Sequence, residues 1–246
     1  MKNVLANLVV CFAALSMAHS QEGPPNEMLA RTAEIKVGNV SGTGFLFDYG
    51  NKRYFVTAKH VVKDLKDNGT LQVQKPDGWK DYTIGKILLP PCGDADIAVL
   101  ETHEAIDKPY EVVSGEGNES VILGQAVFFI GYPFGLHSMS DKYEFAFIKR
   151  GTMSAVDARD KNSIVLYIDG FNNPGFSGAP IMYWNFDKRA FRLLGVVQGY
   201  KEDTAKVLIN NEHVNTALLV NSGILVGYSI EHAVQAIKRE ACAVKK

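Results

Sequence analysis

This sequence of 246 residues is poor in cysteine, in metal-binding motifs and in net charge, and each absence excludes a class of protein. It has three cysteines and a net charge of −1 at pH 7. No charge field of one sign is present that would gather nucleic acid or an anionic membrane surface. It contains neither a His/Cys cluster with metal-ligand spacing nor a glycine-rich phosphate-binding loop. We therefore expect no metal, no other cofactor and no nucleic-acid partner.

Long hydrophobic runs are also scarce, and the one at the N-terminus, residues 4–18, falls short of the roughly 20 residues that span a bilayer. Lys2 supplies a positive charge before this run, and small residues stand three and one positions before Gln21. This pattern predicts a secretory signal peptide over residues 1–20. Residues 21–32 are expected to form a flexible lead-in. The protein is then secreted or periplasmic, with no stable membrane insertion after cleavage.

The remaining chain, about 226 residues (246 − 20), suits a single all-β domain or a pair of packed barrels. Its hydrophobic content of 46% is ample for a core. Cys92 and Cys242 are the cysteines outside the signal segment. They either pair in an oxidising compartment or stay as separate thiols, and two cysteines do not make a disulfide framework.

Short apolar runs separated by Gly, Asn, Asp and Pro follow one another from Ala33 onward and predict β-strands. The runs are residues 35–37, 44–47, 53–56, 71–73, 97–100, 126–130, 144–148, 163–168, 179–183 and 193–197. Residues 48–52 form a hairpin-turn candidate between two of them. Because no long helix intervenes, the series favours a sandwich or barrels over a parallel α/β sheet.

One long helix is predicted, at the C-terminus. Apolar residues recur there at helical spacing, with Ser229 as the candidate N-cap. These residues are Ile230, Ala233, Val234, Ile237 and Ala241. The sequence ends soon after this helix, so we expect no appended peptide-binding domain.

Three segments carry the residue types of nucleophilic hydrolysis, in the order His60, Asp96, Ser177. A serine hydroxyl needs a base to take its proton, and a histidine with a carboxylate behind it suits that role. Each residue alone has a plainer explanation. His60 fits a surface histidine after a strand, Asp96 fits a turn residue with Asp94 as its rival, and Ser177 fits a Gly/Pro-rich loop. Together they predict a nucleophilic hydrolase.

The serine lies between glycines in residues 173–180, NPGFSGAP. Glycine on both sides permits a tight turn with backbone N–H groups aimed at one point. The N–H groups of Gly175 and Ser177 could then form an oxyanion hole, which stabilises the tetrahedral intermediate of acyl transfer.

These segments resemble the signature blocks of trypsin-like serine peptidases, which have the chymotrypsin fold. The matching blocks are GTGFLF at 42–47, FVTAKHVV at 55–62, DIAVL at 96–100 and GFSGAP at 175–180. The closest branch is the bacterial HtrA/Deg-like peptidase domain, here without a PDZ domain. Residues 223–230, followed by a helix, resemble the end of those domains, so the similarity spans roughly residues 33–240.

The resemblance implies an all-β fold of two packed six-stranded antiparallel β-barrels with a C-terminal helix. The expected bounds are about 33–115 for the first barrel, 120–228 for the second and 229–241 for the helix. It also implies that His60 is the general base, Asp96 its orienting partner and Ser177 the nucleophile, with oxyanion donors at Gly175 and Ser177. Phe176 stands where pancreatic-type enzymes carry an aspartate that pairs with a newly freed N-terminus, so we expect no activation by that ion pair.

By the same analogy, a set of residues around the serine would bind substrate, namely Phe171, Asn172, Gln198, Gly199, Tyr200 and Gly223. The first two would help form the primary pocket, the next three would pair with the substrate backbone, and Gly223 would help leave the pocket open. With Phe171 near the base and no acidic residue there, a small or medium apolar P1 side chain is favoured. The alternative is that these residues merely pack the second barrel.

The leading hypothesis is an exported serine endopeptidase acting on polypeptides. The alternative is a catalytically silent trypsin-like domain that serves as a peptide- or protein-binding module. An α/β-hydrolase esterase fits poorly, because it requires the order Ser, Asp, His and a Gly-x-Ser-x-Gly elbow. The oligomeric state is left open by the sequence.

Overall fold

The computed structural model of the protein describes residues 23–92, 94–103, 121–139, 144–210 and 212–239. The predicted signal peptide lies outside these residues. The N-terminal half contains helix α1 (Asn26–Arg31) and strands β1 (Thr32–Val37), β2 (Val40–Tyr49), β3 (Lys52–Thr57), β4 (Thr70–Lys75), β5 (Gly78–Thr83), β6 (Ile87–Leu88) and β7 (Ala98–Glu101). A short 3-10 helix, Lys59–Val62, follows β3.

The C-terminal half continues with strands and ends in a helix. Its elements are β8 (Ala126–Gly131), β9 (Ser138–Met139), β10 (Glu144–Phe145), β11 (Phe147–Asp157), β12 (Val165–Asp169), β13 (Pro180–Asn185), β14 (Ala190–Ile209), β15 (Glu212–Ser229) and α2 (Glu231–Lys238). A second 3-10 helix, Pro133–Gly135, lies between β8 and β9.

Apart from β9 and β10, which pair with each other, the described strands form two antiparallel units, which confirms the predicted all-β, trypsin-like fold. The first is a seven-stranded sheet in the order β5-β4-β1-β2-β3-β7-β6, and the second is a closed barrel in the order β11-β12-β15-β14-β13-β8. The count of six strands holds for the second unit. The first has seven, because the two-residue strand β6 adds to β7 through Ile87 and Leu88.

Several elements differ from the sequence prediction for local reasons. Residues 26–31, expected within a flexible lead-in, form α1, because Met28 is buried and Thr32 Oγ1 donates to the Met28 carbonyl at 2.8 Å. The run 144–148 breaks at the buried Ala146 into β10 and β11. Strand β5 was missed because its side chains are mostly exposed and lack alternation. The hairpin at residues 48–52 is confirmed, with its turn at Gly50 and Asn51.

One hydrophobic cluster joins the two units. Phe45 and Val56 of the first sheet belong to the same cluster as Ile130 and Met182 of the barrel and Ala233 of α2. Close packing of buried side chains from both units favours one fixed arrangement of the two units.

A hydrogen bond also crosses from one unit to the other, since the Tyr132 hydroxyl donates to the Thr32 carbonyl at 3.0 Å. The loops after β3 and before β7 are joined by the Lys59 N–H, which donates to the Asp96 carbonyl at 3.3 Å. The predicted catalytic residues lie on these two loops and on the loop before β13.

The C-terminal helix is shorter than predicted. Ile230 occupies the position before its first residue, not Ser229, although Ser229 Oγ accepts from the Glu231 N–H at 3.3 Å. Arg239 ends the helix in the left-handed conformation, and Ala241 lies outside the described residues.

His232 on this helix is fully buried and its Nε2 accepts from the Ile164 N–H at 2.8 Å. Burial lowers the pKa of His232 and favours the neutral ring that this acceptor role requires.

Cys92 is disulfide-bonded. Its partner is one of the two other cysteines of the chain, Cys11 or Cys242, and both lie outside the described residues. The pairing of Cys92 with Cys242 therefore stays a prediction.

Within the described ranges, none of the helices has the length and apolar character needed to cross a bilayer.

Candidate active site

The side chains of His60 and Asp96 are joined at the junction of the two units. His60 Nδ1 lies 2.5 Å from Asp96 Oδ2, and the His60 backbone N–H donates to Asp96 Oδ1 at 2.9 Å. The His60 side chain is 44% exposed, whereas that of Asp96 is 13% exposed. The carboxylate therefore fixes the Nδ1 edge of the imidazole, while the His60 side chain stays partly open to solvent. Asp94, the rival aspartate, is exposed.

The backbone of the first sheet brings these residues next to the serine loop, residues 173–180. Thr43 N–H donates to the Ser177 carbonyl at 2.8 Å. A Cβ built on Gly42 would lie 2.8 Å from both the Ser177 carbonyl and Val61, the residue after His60. The segment carrying His60 and the loop carrying Ser177 therefore flank the same glycine.

Two glycines of the serine loop are required by close backbone contacts. Gly175 has φ +102° and a Cβ there would lie 2.1 Å from the Tyr132 carbonyl oxygen. Gly178 has φ +88° and a Cβ there would lie 2.0 Å from the Thr43 carbonyl oxygen. Because backbone atoms have no rotamer to move into, a side chain at either position would displace the loop.

Hydrogen bonds also set the direction of the peptide groups in this loop. Phe134 N–H donates to the Pro174 carbonyl at 2.7 Å, and Ala179 N–H donates to the Phe176 carbonyl at 2.8 Å. In a trans peptide the N–H points opposite to the carbonyl. The Gly175 and Ser177 N–H groups therefore point away from these partners. Within the described part of the chain, neither donates to a protein acceptor.

The Ser177 hydroxyl donates to the Gln198 carbonyl at 3.2 Å. Across the residues that the structure describes, no hydrogen bond joins it to His60. The structure thus brings His60 and Asp96 into direct contact and places Ser177 on the adjacent loop, with its hydroxyl turned towards strand β14.

The predicted substrate-binding residues divide into two groups. Gln198, Gly199 and Tyr200 lie on β14 where that strand leaves its pairing with β13, which ends at Val196. Gly199 pairs with Val226 on the other side. The free edge of this short segment therefore begins beside the Ser177 hydroxyl.

Residues 170–172 lie against the middle of β15. Gly170 N–H donates to the Gly223 carbonyl at 2.9 Å, and Asn221 Nδ2 donates to the Asn172 carbonyl at 2.6 Å. Asn172 is 2% exposed, so it supports the loop from within. Phe171 is 58% exposed, which does not fit the expected place near the base of an apolar pocket.

Lys149 on β11 was not singled out by the sequence, yet it contacts the serine loop. Its Nζ donates to the Phe171 carbonyl at 2.8 Å and to Asn173 Oδ1. It also lies 5.4 Å from the ring centroid of the fully buried Phe176. Burial lowers the pKa of the Lys149 ammonium. The sequence signal was a single lysine following the mainly apolar residues 145–148.

Thr43 is a second residue that links the serine loop to the first sheet. It is fully buried, and its Oγ1 donates to the Gly175 carbonyl at 2.7 Å. The same oxygen accepts from the Tyr132 N–H at 3.3 Å. A buried hydroxyl with both partners satisfied holds the loops of the two units in one arrangement. Its position inside the GTGF segment was the only signal in the sequence.

A model of the trypsin-like peptidase domain matches residues 42–196, which is more than half of the chain. The chain belongs to the trypsin-like peptidase family. This family assignment and the relatives below support a serine protease function for the protein.

A curated relative and several solved structures are similar to this trypsin-like peptidase. Protease Do-like 1, chloroplastic, of Arabidopsis thaliana is 29% identical over 148 residues, which are 60% of this chain and 31% of that protein. This chain therefore spans about a third of the relative's length. The serine endoprotease from Yersinia pestis matches with a TM-score of 0.54 and 19% identity, over 87% of this chain and 64% of that one. The Rv3671c protease of M. tuberculosis, in an inactive form, matches with a TM-score of 0.55 and 17% identity, over 87% and 90%. At these identities the structures show the shared fold.

Proposed function

We propose that the protein is an exported serine endopeptidase that hydrolyses peptide bonds through Ser177, His60 and Asp96. The observation that carries the proposal is the contact between His60 Nδ1 and Asp96 Oδ2, beside the loop that carries Ser177. A carboxylate bound at Nδ1 keeps the proton on that nitrogen, so that Nε2 carries the lone pair of a general base. The predicted signal peptide supports export.

The reaction follows from these positions. Ser177 Oγ attacks the carbonyl carbon of the peptide bond, and His60 Nε2 takes the hydroxyl proton. The carbonyl oxygen becomes an oxyanion, which the N–H groups of Gly175 and Ser177 would stabilise. His60 then gives its proton to the amine nitrogen, the C–N bond breaks, and an acyl ester remains on Ser177. Water attacks that ester by the same route and releases the acid.

The Ser177 hydroxyl must turn before it can react. In the structure it donates to the Gln198 carbonyl at 3.2 Å, a long distance for an O–H···O bond. A change between staggered rotamers about the Cα–Cβ bond would move the oxygen away from β14. Substrate pairing with residues 198–200 would favour the change, because the Gln198 carbonyl would lie beside the incoming backbone. The same bond would also suit a silent binding module, which is the alternative function.

A fluorophosphonate probe tests the proposal. Purified, folded protein should react so that the Ser177 oxygen displaces fluoride and forms a stable ester with phosphorus. Intact-mass measurement should show one adduct for each chain, and peptide mapping should place it on Ser177. Heat-denatured protein should stay unlabelled, because the activation of the hydroxyl depends on the fold. If folded protein is not labelled, the binding-module alternative replaces the peptidase.

Replacing Lys149 with methionine should slow the reaction of the probe by about tenfold to a hundredfold, the usual worth of a charge-assisted hydrogen bond. The ammonium holds the Phe171 carbonyl and Asn173, which lie just before Gly175. Without the ammonium, the serine loop and the segment before it lose these two hydrogen bonds, and the N–H groups of Gly175 and Ser177 are held less firmly in position. Because Lys149 acts through the loop, we expect kcat to fall while KM changes little.

Two further variants separate this positioning role from a general loss of stability. Lys149→Arg should recover part of the rate, since a guanidinium can reach the same acceptors. Arg150→Met is the matched control, because Arg150 is the next residue on β11 and is exposed. A fall in kcat that occurs equally in Arg150→Met, or that merely follows a lower melting temperature, would contradict the role of Lys149.

A further inference from the structure

The hairpin of β14 and β15 extends well beyond the barrel. Pairing of β14 with β13 ends at Val196, and pairing of β15 with β12 starts only at Ile224. Between these points the two strands pair only with each other, from Glu202 and Asn221 to the tip. We call residues 201–210 and 212–221 the arm.

The arm exposes apolar side chains along its length. These are Leu208, Ile209, Leu218, Leu219 and Val220, which are between 37% and 71% exposed. An isolated two-stranded hairpin is only marginally stable in water, and unpaired edges with apolar side chains are templates for another strand. Along the described arm, no strand pairs with the outer edge of either β14 or β15. The arm therefore suits an extended polypeptide partner.

The outer edge of the arm is continuous with the proposed cleft. The same strand that carries Gln198, whose carbonyl accepts from the Ser177 hydroxyl, runs on to Ile209. These twelve residues span about 40 Å at about 3.3 Å per residue. Bulges between Val197 and Gly199 and between Tyr200 and Glu202 turn the strand where it leaves the barrel. Backbone pairing should therefore be interrupted there and resume along the arm.

The direction of the strand decides which part of a substrate would reach the arm. A substrate that pairs antiparallel with residues 198–200 has its scissile bond beside Ser177. Its residues before that bond then extend towards higher numbers on β14. Charges on the arm nearly cancel, with Lys201 and Lys206 against Glu202, Asp203 and Glu212, so apolar contact rather than net charge selects the ligand.

We propose that the arm is an extended substrate-binding site, which takes the apolar segment on the N-terminal side of the scissile bond in an unfolded polypeptide. The segment would add as a strand to the outer edge of β14, and its side chains would lie beside those of β14, which include the exposed Leu208 and Ile209. This inference rests on the proposed peptidase function. The base of the arm also contacts the residue before the serine loop, because Asn221 Nδ2 donates to the Asn172 carbonyl.

Peptides of two lengths test the proposal. An eight-residue peptide that the wild type cleaves is compared with the same peptide carrying ten further N-terminal residues of alternating valine and threonine. The long peptide should have a kcat/KM about tenfold higher, as expected from several cross-strand pairs. An extension of glycine and serine of equal length should give no gain. The ratio of the two kcat/KM values is the readout.

The double variant Leu208→Lys with Ile209→Lys should lower this ratio to about one, because it places charge on β14 where apolar contact with the added strand is needed. Leu123→Lys is the matched control and should keep the ratio, since Leu123 is similarly exposed but lies outside the arm. Circular dichroism checks that each variant is folded. The inference is wrong if the wild type shows no preference or if the double variant keeps it. It is equally wrong if the double variant only converts an oligomer into monomers, which would make the arm a contact between copies.

Failure of the peptidase proposal would give a different result. If the wild type cleaves no peptide, fluorescence anisotropy with the labelled long peptide measures binding directly. Binding about tenfold tighter than that of the glycine–serine peptide, lost in the double variant, would keep the arm as a polypeptide site without hydrolysis. Equal binding of both peptides would overturn the arm as well.

Discussion

Replacing Ser177 with alanine should lower kcat on an unfolded protein substrate by at least about 10⁴-fold, because the acyl ester can no longer form. The fold should be kept. Among the described residues the hydroxyl makes one hydrogen bond, to the Gln198 carbonyl at 3.2 Å, and Gln198 is only partly buried. The free energy of unfolding should therefore change by no more than about 1 kcal/mol. Release of acid-soluble peptides and thermal unfolding measure the two quantities.

A second serine provides the control for this variant. Ser154 Oγ also donates to a carbonyl, that of Thr152, at 3.2 Å, but on the exposed face of β11. Ser154→Ala should therefore keep full turnover. If Ser177→Ala retained more than about a tenth of the wild-type rate, another residue would have to be the nucleophile.

Replacing Asp96 with asparagine should lower kcat by about 10⁴-fold with little change in KM. The carboxylate has two roles, since Oδ1 accepts from the His60 backbone N–H and Oδ2 contacts Nδ1. An asparagine has one acceptor oxygen. The backbone N–H occupies it, so the NH₂ group faces Nδ1, which must then accept. The ring proton moves to Nε2, and the base that Ser177 needs is lost.

The change of tautomer distinguishes this loss from a structural one. Nitrogen NMR of the labelled His60 ring should show the proton on Nδ1 in the wild type and on Nε2 in Asp96→Asn. Asp94→Asn is the matched control, because Asp94 is exposed two residues earlier and should tolerate the change. Equal losses in Asp94→Asn and Asp96→Asn would mean that the carboxylate at residue 96 does not orient His60.

The strands that the sequence predicted are those whose burial alternates or is continuous. Residues 53–56 and 126–130 are almost entirely buried in β3 and β8, so their apolar character was visible. β5 was missed because its side chains face solvent, and α1 was missed because it depends on one buried methionine, Met28. The spacing of apolar residues in a sequence reveals an element only when one of its faces is buried, and these two elements bury few side chains.

The length of β14 and β15 shows a second kind of structure that the sequence pattern did not predict. The sequence indicated residues 193–197, but β14 runs to Ile209 and β15 begins at Glu212. The outer part of this hairpin is held by pairing between its own strands, without a core on either face. In sequence, this part of the hairpin looks like a loop with a few scattered leucines. An exposed two-stranded hairpin has no regular spacing of apolar residues that would distinguish it from an irregular segment.

The sequence by itself determined the fold class, the C-terminal helix and the three chemical groups at His60, Asp96 and Ser177, since each depends on residues close together in the chain. Only the tertiary structure decided that Asp96 rather than Asp94 contacts His60, that Lys149 holds the segment before Ser177, and that β14 continues from the cleft into the arm. The physical reason is distance along the chain. Asp96 is 36 residues from His60, and Lys149 is 22 residues from Phe171. Contacts between such distant residues are set by strand order and register, which local patterns do not encode.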